Sequence, residues 1–164
     1  MRKGNLILVR HYNLMSSLIR KITKSEFNHI GIFVDEENIV EVKFGGVAKT
    51  SFLDFEMAKA ENKLDYAIYK IKDITEEQIN IMTTFANTEI GAKYDFAQFI
   101  SIGLMLLTGC TRRIEPFDNS NRWICSELIS DGAYFAGIEF YENIDPDNMS
   151  PGDIAKSPIV ERVA

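Results

Sequence analysis

Leu6-Ile7-Leu8-Val9 is an apolar run between polar Asn5 and Arg10, the pattern of a short buried strand. Asn28 to Val34 and Ile39 to Phe44 read as two more strands. Between them Asp35-Glu36-Glu37-Asn38 has turn chemistry, which predicts a hairpin ending at Gly45-Gly46. Ser16 to Ile22, ahead of the hairpin, fits a brief helix or turn. After it, Ser51 is expected to open a short amphipathic helix to about Lys59, and Asp65 to Lys72 alternates as a further strand. Thr75-Glu76-Glu77-Gln78 is a capping box, with Thr at the N-cap and Gln three residues on. The helix it opens carries Ile79, Met82, Phe85 and Ala86 on one face, and Gly91 stands where a C-terminal cap would go. A second helix is expected over Phe96 to Leu107. Another is expected over Cys125 to Ala136, where Leu128, Ile129, Gly132, Ala133 and Phe135 recur at helical spacing before Gly137. Asp145-Pro146, Ser150-Pro151-Gly152-Asp153 and Ser157-Pro158 are turn signals. Strands come first and helices follow, which predicts an α+β fold.

The length of 164 residues favours one domain over 1–164. A domain of that size buries roughly 70% of its unfolded surface, so it needs neither disulfide nor metal to hold together. With 46% hydrophobic and 26% charged residues the composition is that of a soluble globule. The net charge of −6 speaks against a nucleic-acid partner, because such proteins neutralise phosphates with a basic face. Arg2, Lys3, Arg10, Arg20, Lys21 and Lys24 crowd the first segment and read as a solvated face. The run Leu6 to Val9 is too short for a signal peptide, and the stretch from Phe96 to Leu107 is about half a membrane span. The expectation is a soluble, cytoplasmic protein. Cys110 and Cys125 are too few for a disulfide scaffold, and with His11 and His29 they form no four-ligand zinc pattern; no metal and no cofactor are expected.

The chemistry concentrates on few residues. Histidine is the usual proton acceptor near neutral pH, and only His11 and His29 are present. Strand periodicity puts His29, Gly31 and Phe33 on one face and Ile30, Ile32 and Val34 on the other, which is the core face. Gly31 then leaves space beside the imidazole, or marks close backbone packing. Glu41, on the partner strand, shares the His29 face if the turn has odd length and points away if it is even. In the first case its carboxylate can fix the ring tautomer and favour the imidazolium. Cys125 opens a helix and feels the positive end of the helix dipole. Such positions, with a histidine near, bring a cysteine's pKa down to about 3.5–7.5. A buried, inert thiol is the competing reading. Cys110, after Gly109 in a loop, reads as structural, and His11 as incidental.

Taken together these residues resemble the circularly permuted branch of the NlpC/P60 papain-like superfamily, the YiiX-like group. The resemblance runs nearly the whole length. It rests on Gly4-Asn5-Leu6-Ile7, Phe27-Asn28-His29-Ile30-Gly31-Ile32-Phe33, Ile39-Val40-Glu41-Val42 with Gly45-Gly46-Val47, Gly91-Ala92-Lys93-Tyr94-Asp95, Trp123-Ile124-Cys125-Ser126-Glu127-Leu128-Ile129 and Ser150-Pro151-Gly152-Asp153-Ile154. Asn5 stands where the group often has Asp, and Asn28 where Ser is usual; neither is a proposed catalytic group. The resemblance implies an antiparallel sheet or barrel that carries the histidine and packs against helices, with the cysteine at a helix N-terminus. It implies a Cys125–His29–Glu41 triad, with Tyr94 donating to an oxyanion, and hydrolysis of an amide (peptide, isopeptide or N-acyl) bond through an acyl-enzyme. The expected partner is a small-molecule, peptide or acyl-amide substrate. The apolar segment from Phe96 to Leu107 reads as a buried helix, and alternatively as a wall for a lipid-like acyl chain. Two rival functions remain open at this level: an acyltransferase using the same acyl-enzyme, and a catalytically silent binding module of the same fold.

Overall fold

The computed structural model describes residues 1–23, 25–94, 122–142 and 149–164. Among the described residues, six antiparallel strands, β1 (Leu6–His11), β2 (His29–Phe33), β3 (Asn38–Lys43), β4 (Gly46–Ser51), β5 (Leu64–Ile71) and β8 (Val160–Arg162), form one sheet in the order β4-β3-β2-β1-β5-β8. β6 (Lys93–Tyr94) and β7 (Arg122–Trp123) make a separate parallel pair. The helices are α1 (Leu14–Thr23), α2 (Phe52–Ala60), α3 (Glu76–Thr88), α4 (Cys125–Phe135) and α5 (Pro151–Lys156). The expected α+β class holds. The helix expected over Phe96 to Leu107, and Cys110, lie outside the described residues.

Alternation sorts the sheet side chains into two buried layers. Leu6, Leu8, Ile30, Ile32, Val40, Val42 and Ala67 face α3 and α4, meeting Met82, Ala86, Leu128, Ile129 and Ala133. Each buried Leu, Ile, Val or Met among these contributes roughly 1.5–3 kcal/mol by leaving water. Ile7, Val9, Phe33, Ile39, Leu64 and Ile68 lie on the opposite face around Phe55 of α2. The His29 face is therefore a second core face, closed by the helix that Ser51 caps through its bond from the Leu53 N–H.

The hairpin expected between β2 and β3 forms. Its turn is held by Asp35 Oδ1, which accepts from the N–H groups of Glu37 (2.9 Å) and Asn38 (2.7 Å). The Val34 N–H donates to the Asn38 carbonyl and leaves an odd loop of residues 35–37. The capping box at Thr75 forms, with Gln78 N–H on Thr75 Oγ1 and Thr75 N–H on Gln78 Oε1. Five of the described elements lay outside the sequence expectation: β4, the two-residue strands β6 and β7, the short β8, and the six-residue helix α5. β4 has weak alternation and starts on a glycine, and only its ladder to β3 makes it a strand. β8 is held by pairing with β5 at Tyr69↔Arg162 to Ile71↔Val160.

Candidate active site

His29 opens β2, and its side chain is 13% exposed. Gly31 pairs with Glu41, so the carboxylate lies on the His29 face and one step along the diagonal. Glu41 Oε2 is 2.6 Å from His29 Nε2. Its other oxygen accepts from Thr50 Oγ1 at 2.6 Å and lies 3.1 Å from Lys43 Nζ. Thr50 pairs with Ile39 of β3, which sets it on the same face in β4. His29, Glu41 and Thr50 thus form a polar diagonal across three adjacent strands. Gly31 makes room for it: a Cβ there would sit 2.8 Å from Ile39 Cγ2 and 3.2 Å from Glu41 Cβ. The glycine answers to close packing rather than to space beside the ring.

Cys125 is half-buried at the first position of α4, which packs along β2 and β3. Its side chain packs against the α3/α4-side layer and is near enough to His29 to raise that imidazole. Glu41 engages His29 through Nε2. The Ile124 N–H is capped by Glu127 Oε2 at 3.3 Å, and the first intrahelical bond runs from the Leu128 N–H to the Ile124 carbonyl. At this first helical position the Cys125 N–H has no intrahelical acceptor.

The charges are mutually supporting. Burial disfavours a charged His29, but hydrogen bonds to Cys125 and Glu41, with their negative charge, outweigh it and raise the imidazole to about 10. Burial likewise works against the Glu41 carboxylate. The His29 hydrogen bond and charge, Thr50 and Lys43 overcome it and bring Glu41 down to about 2. An imidazolium held between a carboxylate and a thiol is equipped to stabilise a thiolate and to return a proton.

His11, which nothing in the sequence pattern tied to the site, lies beside it. Its ring centroid is 5.8 Å from that of His29, tilted by 54°. The β1–β2 register, Val9↔His29, places both histidines on one face. That register was the missing signal. Burial first, then repulsion by His29, lower His11 to about 4 against the pull of Glu41. It is an uncharged ring at neutral pH.

Tyr94 is placed by its backbone. β6 runs parallel to β7 with Tyr94↔Trp123, just ahead of Cys125 in the chain. β6 is in turn fastened to β4: the Val47 N–H donates to the Ala92 carbonyl at 2.8 Å, and the Gly91 N–H to the Val47 carbonyl at 2.9 Å. This contact demands Gly46, whose φ is +115° and whose Cβ would fall 2.1 Å from the Ala92 oxygen. Among the described residues no group of three or more His, Cys, Asp or Glu side chains is arranged to hold a metal ion.

A histidine strand that precedes a cysteine helix, with the sheet packed against helices, is the permuted papain-like arrangement. The chain belongs to the family described as permuted papain-like amidase enzymes, the YaeF/YiiX, C92 family, whose profile matches residues 1–102. That span includes His29, Glu41 and Tyr94 and stops short of Cys125. The chain is similar to the probable lipoprotein peptidase YaeF of Escherichia coli strain K12, with 23% identity over 159 residues that cover 84% of this chain and 57% of YaeF. It thus spans little more than half the length of that curated relative. Its fold is similar to the crystal structure of metalloprotein YiiX from Escherichia coli O157:H7, with a TM-score of 0.72 and 17% identity. The match covers 99% of this chain and 96% of that one. Among the described residues no helix is long and apolar enough to cross a membrane.

Proposed function

We propose that the protein is a thiol hydrolase that cleaves an amide bond through an acyl-enzyme on Cys125, with His29 as acid and base and Glu41 as its orienting partner. The observation that supports this most is the His29 ring, which Glu41 engages at 2.6 Å and which Cys125 and Glu41 together hold charged. The Cys125 thiolate attacks the amide carbonyl carbon and forms the C–S bond. The oxyanion is taken by the Cys125 N–H, left without a helical acceptor, and by the Tyr94 hydroxyl as the family resemblance implies. Loss of one such donor typically costs roughly 3–4 kcal/mol of transition-state stabilisation. His29 gives its proton to the leaving amine as the C–N bond breaks. The neutral ring then takes a proton from water, and the hydroxide released attacks the thioester, breaks the C–S bond, and frees the acid and the Cys125 thiolate beside a protonated His29. Glu41 keeps Nε2 engaged throughout, so Nδ1 faces the reacting atoms. YiiX is described as a metalloprotein, but the described residues here offer no ligand set for a metal, and no step runs through one.

The rate of Cys125 alkylation at neutral pH, in the wild type and in His29→Ala, tests this reading. The wild type should react faster than a free thiol, and His29→Ala should bring the rate down toward that of free cysteine. Two equal rates near the free-cysteine value would remove the basis for a nucleophile.

A further inference from the structure

The basic residues of the first segment read as a solvated face from sequence, yet one of them is built onto the site. α1 is inserted between β1 and β2, whose facing ends carry His11 and His29. Two stitches fasten the helix to those ends. Asn28 accepts from the His11 N–H at 2.9 Å through Oδ1 and donates to Ser16 Oγ at 3.2 Å through Nδ2. Arg20 reaches back and donates from Nη1 to the His11 carbonyl and from Nη2 to Ser17 Oγ. A guanidinium has five N–H donors, and these two contacts leave others unused. Among the described residues no carboxylate forms an ion pair with Arg20. The guanidinium is half-buried, its orientation is fixed by two anchors, and its charge is felt by the His11 ring that packs against His29. His11 itself is neutral, so of these two side chains Arg20 carries the positive charge. Arg is suited to planar, bidentate capture of carboxylate or phosphate.

We propose that Arg20 forms an anion subsite on the α1 rim of the Cys125–His29 site, and that the amide substrate carries a carboxylate or phosphate group that docks there. This rests on the thiol-hydrolase reading and narrows its substrate class to an anionic amide. In a chain of net charge −6 such a subsite also offsets the general repulsion of an anionic substrate.

Iodoacetate and iodoacetamide are near-isosteric and attack the same sulfur, one anionic and one neutral. The ratio of their rates at Cys125 is therefore insensitive to folded fraction and to the thiol's own reactivity. Arg20→Gln should lower the iodoacetate-to-iodoacetamide ratio by about three- to tenfold. Arg20→Lys should keep most of the preference, and high salt should diminish it in the wild type. Cys125→Ser gives the Cys110 background. Protection of Cys125 against iodoacetamide by succinate, set beside protection by inorganic phosphate, separates the two anion sources, and protection should weaken in Arg20→Gln. A reactive Cys125 whose ratio ignores Arg20, or which neither anion protects, overturns the subsite alone. A Cys125 no more reactive than free cysteine with either reagent overturns the thiol reading and the subsite with it.

Discussion

Glu41 Oε2 and His29 Nε2 are 2.6 Å apart, and the carboxylate side chain is only 4% exposed. A buried charge in a protein survives when each of its oxygens is engaged. Here one oxygen holds the imidazole and the other takes Thr50 and Lys43. The pair is set by the Gly31↔Glu41 register, so a ladder of backbone bonds decides where the imidazolium stands.

Glu41→Gln keeps the shape of the side chain and removes the charge. The His29 imidazole should then fall from about 10 toward its ordinary 6.5, as read by NMR titration of the ring. Amide hydrolysis should drop by about 10²–10⁴-fold, the range over which acid–base catalysis usually acts. An unchanged ring titration would show that Cys125 alone holds the imidazolium.

Thr50→Val deletes the donor on Glu41 Oε1 inside a buried layer. Leaving such an acceptor short of a partner costs about 1–3 kcal/mol, so the urea midpoint should fall by that equivalent. Thr50→Ser should recover most of it, because the hydroxyl returns and only a methyl is lost. A valine variant as stable as the wild type would mean that Lys43 alone satisfies the oxygen.

Three groups give stability a bell-shaped pH dependence. His29 is raised from 6.5 to about 10, so its contribution is complete below pH 6.5 and is lost as pH rises toward 10. Glu41 is lowered from 4.5 to about 2, so its contribution is complete above 4.5 and is lost as pH falls toward 2. His11 is lowered from 6.5 to about 4, so the unfolded chain takes up its proton first, and stability falls as pH drops from 6.5 to 4. Denaturation across pH should show all three. His11→Phe should flatten the limb between 6.5 and 4 and leave the alkaline limb in place. An acid limb unaltered in His11→Phe would contradict the burial of that ring as a neutral group.

Gly31→Ala adds one methyl group where Ile39 Cγ2 would be 2.8 Å away. Overpacking of this kind costs about 1–3 kcal/mol, and the strain falls on Glu41, whose Cβ is the next side-chain contact. The variant should lose activity more than its stability loss alone implies, seen as a lower kcat in the fraction that remains folded. Equal specific activity per folded molecule would show that the diagonal absorbs the methyl.

Local pattern carried much of this protein. The Trp123-to-Ile129 stretch announced a helix with a cysteine at its start, Thr75 and Gln78 announced a capped helix, and Leu6 to Val9 a buried strand. These features depend on residues within one or two turns of each other, so they can be read without knowing what lies across the chain. The register of β2 against β3 could not be read, and with it whether Glu41 shares a face with His29. A one-step slip would exchange the two faces, but both faces of β2 and β3 are apolar, so the pattern alone does not choose between them until the loop at 35–37 closes. β4 and β8 escaped for a related reason: their own residues specify a strand weakly, and a neighbouring ladder supplies the rest.

The sequence by itself determined the residue types, the order of strand-borne histidine before helix-borne cysteine, and the starts of α2, α3 and α4. Tertiary structure alone decided the partners: Thr50 behind Glu41, His11 beside His29, and Arg20 tied back to His11 from an inserted helix. Those neighbours are separated along the chain by about nine to eighteen residues and meet only through strand pairing and the return of α1. That pairing is fixed by the summed burial of two core layers, a quantity no short window of sequence contains.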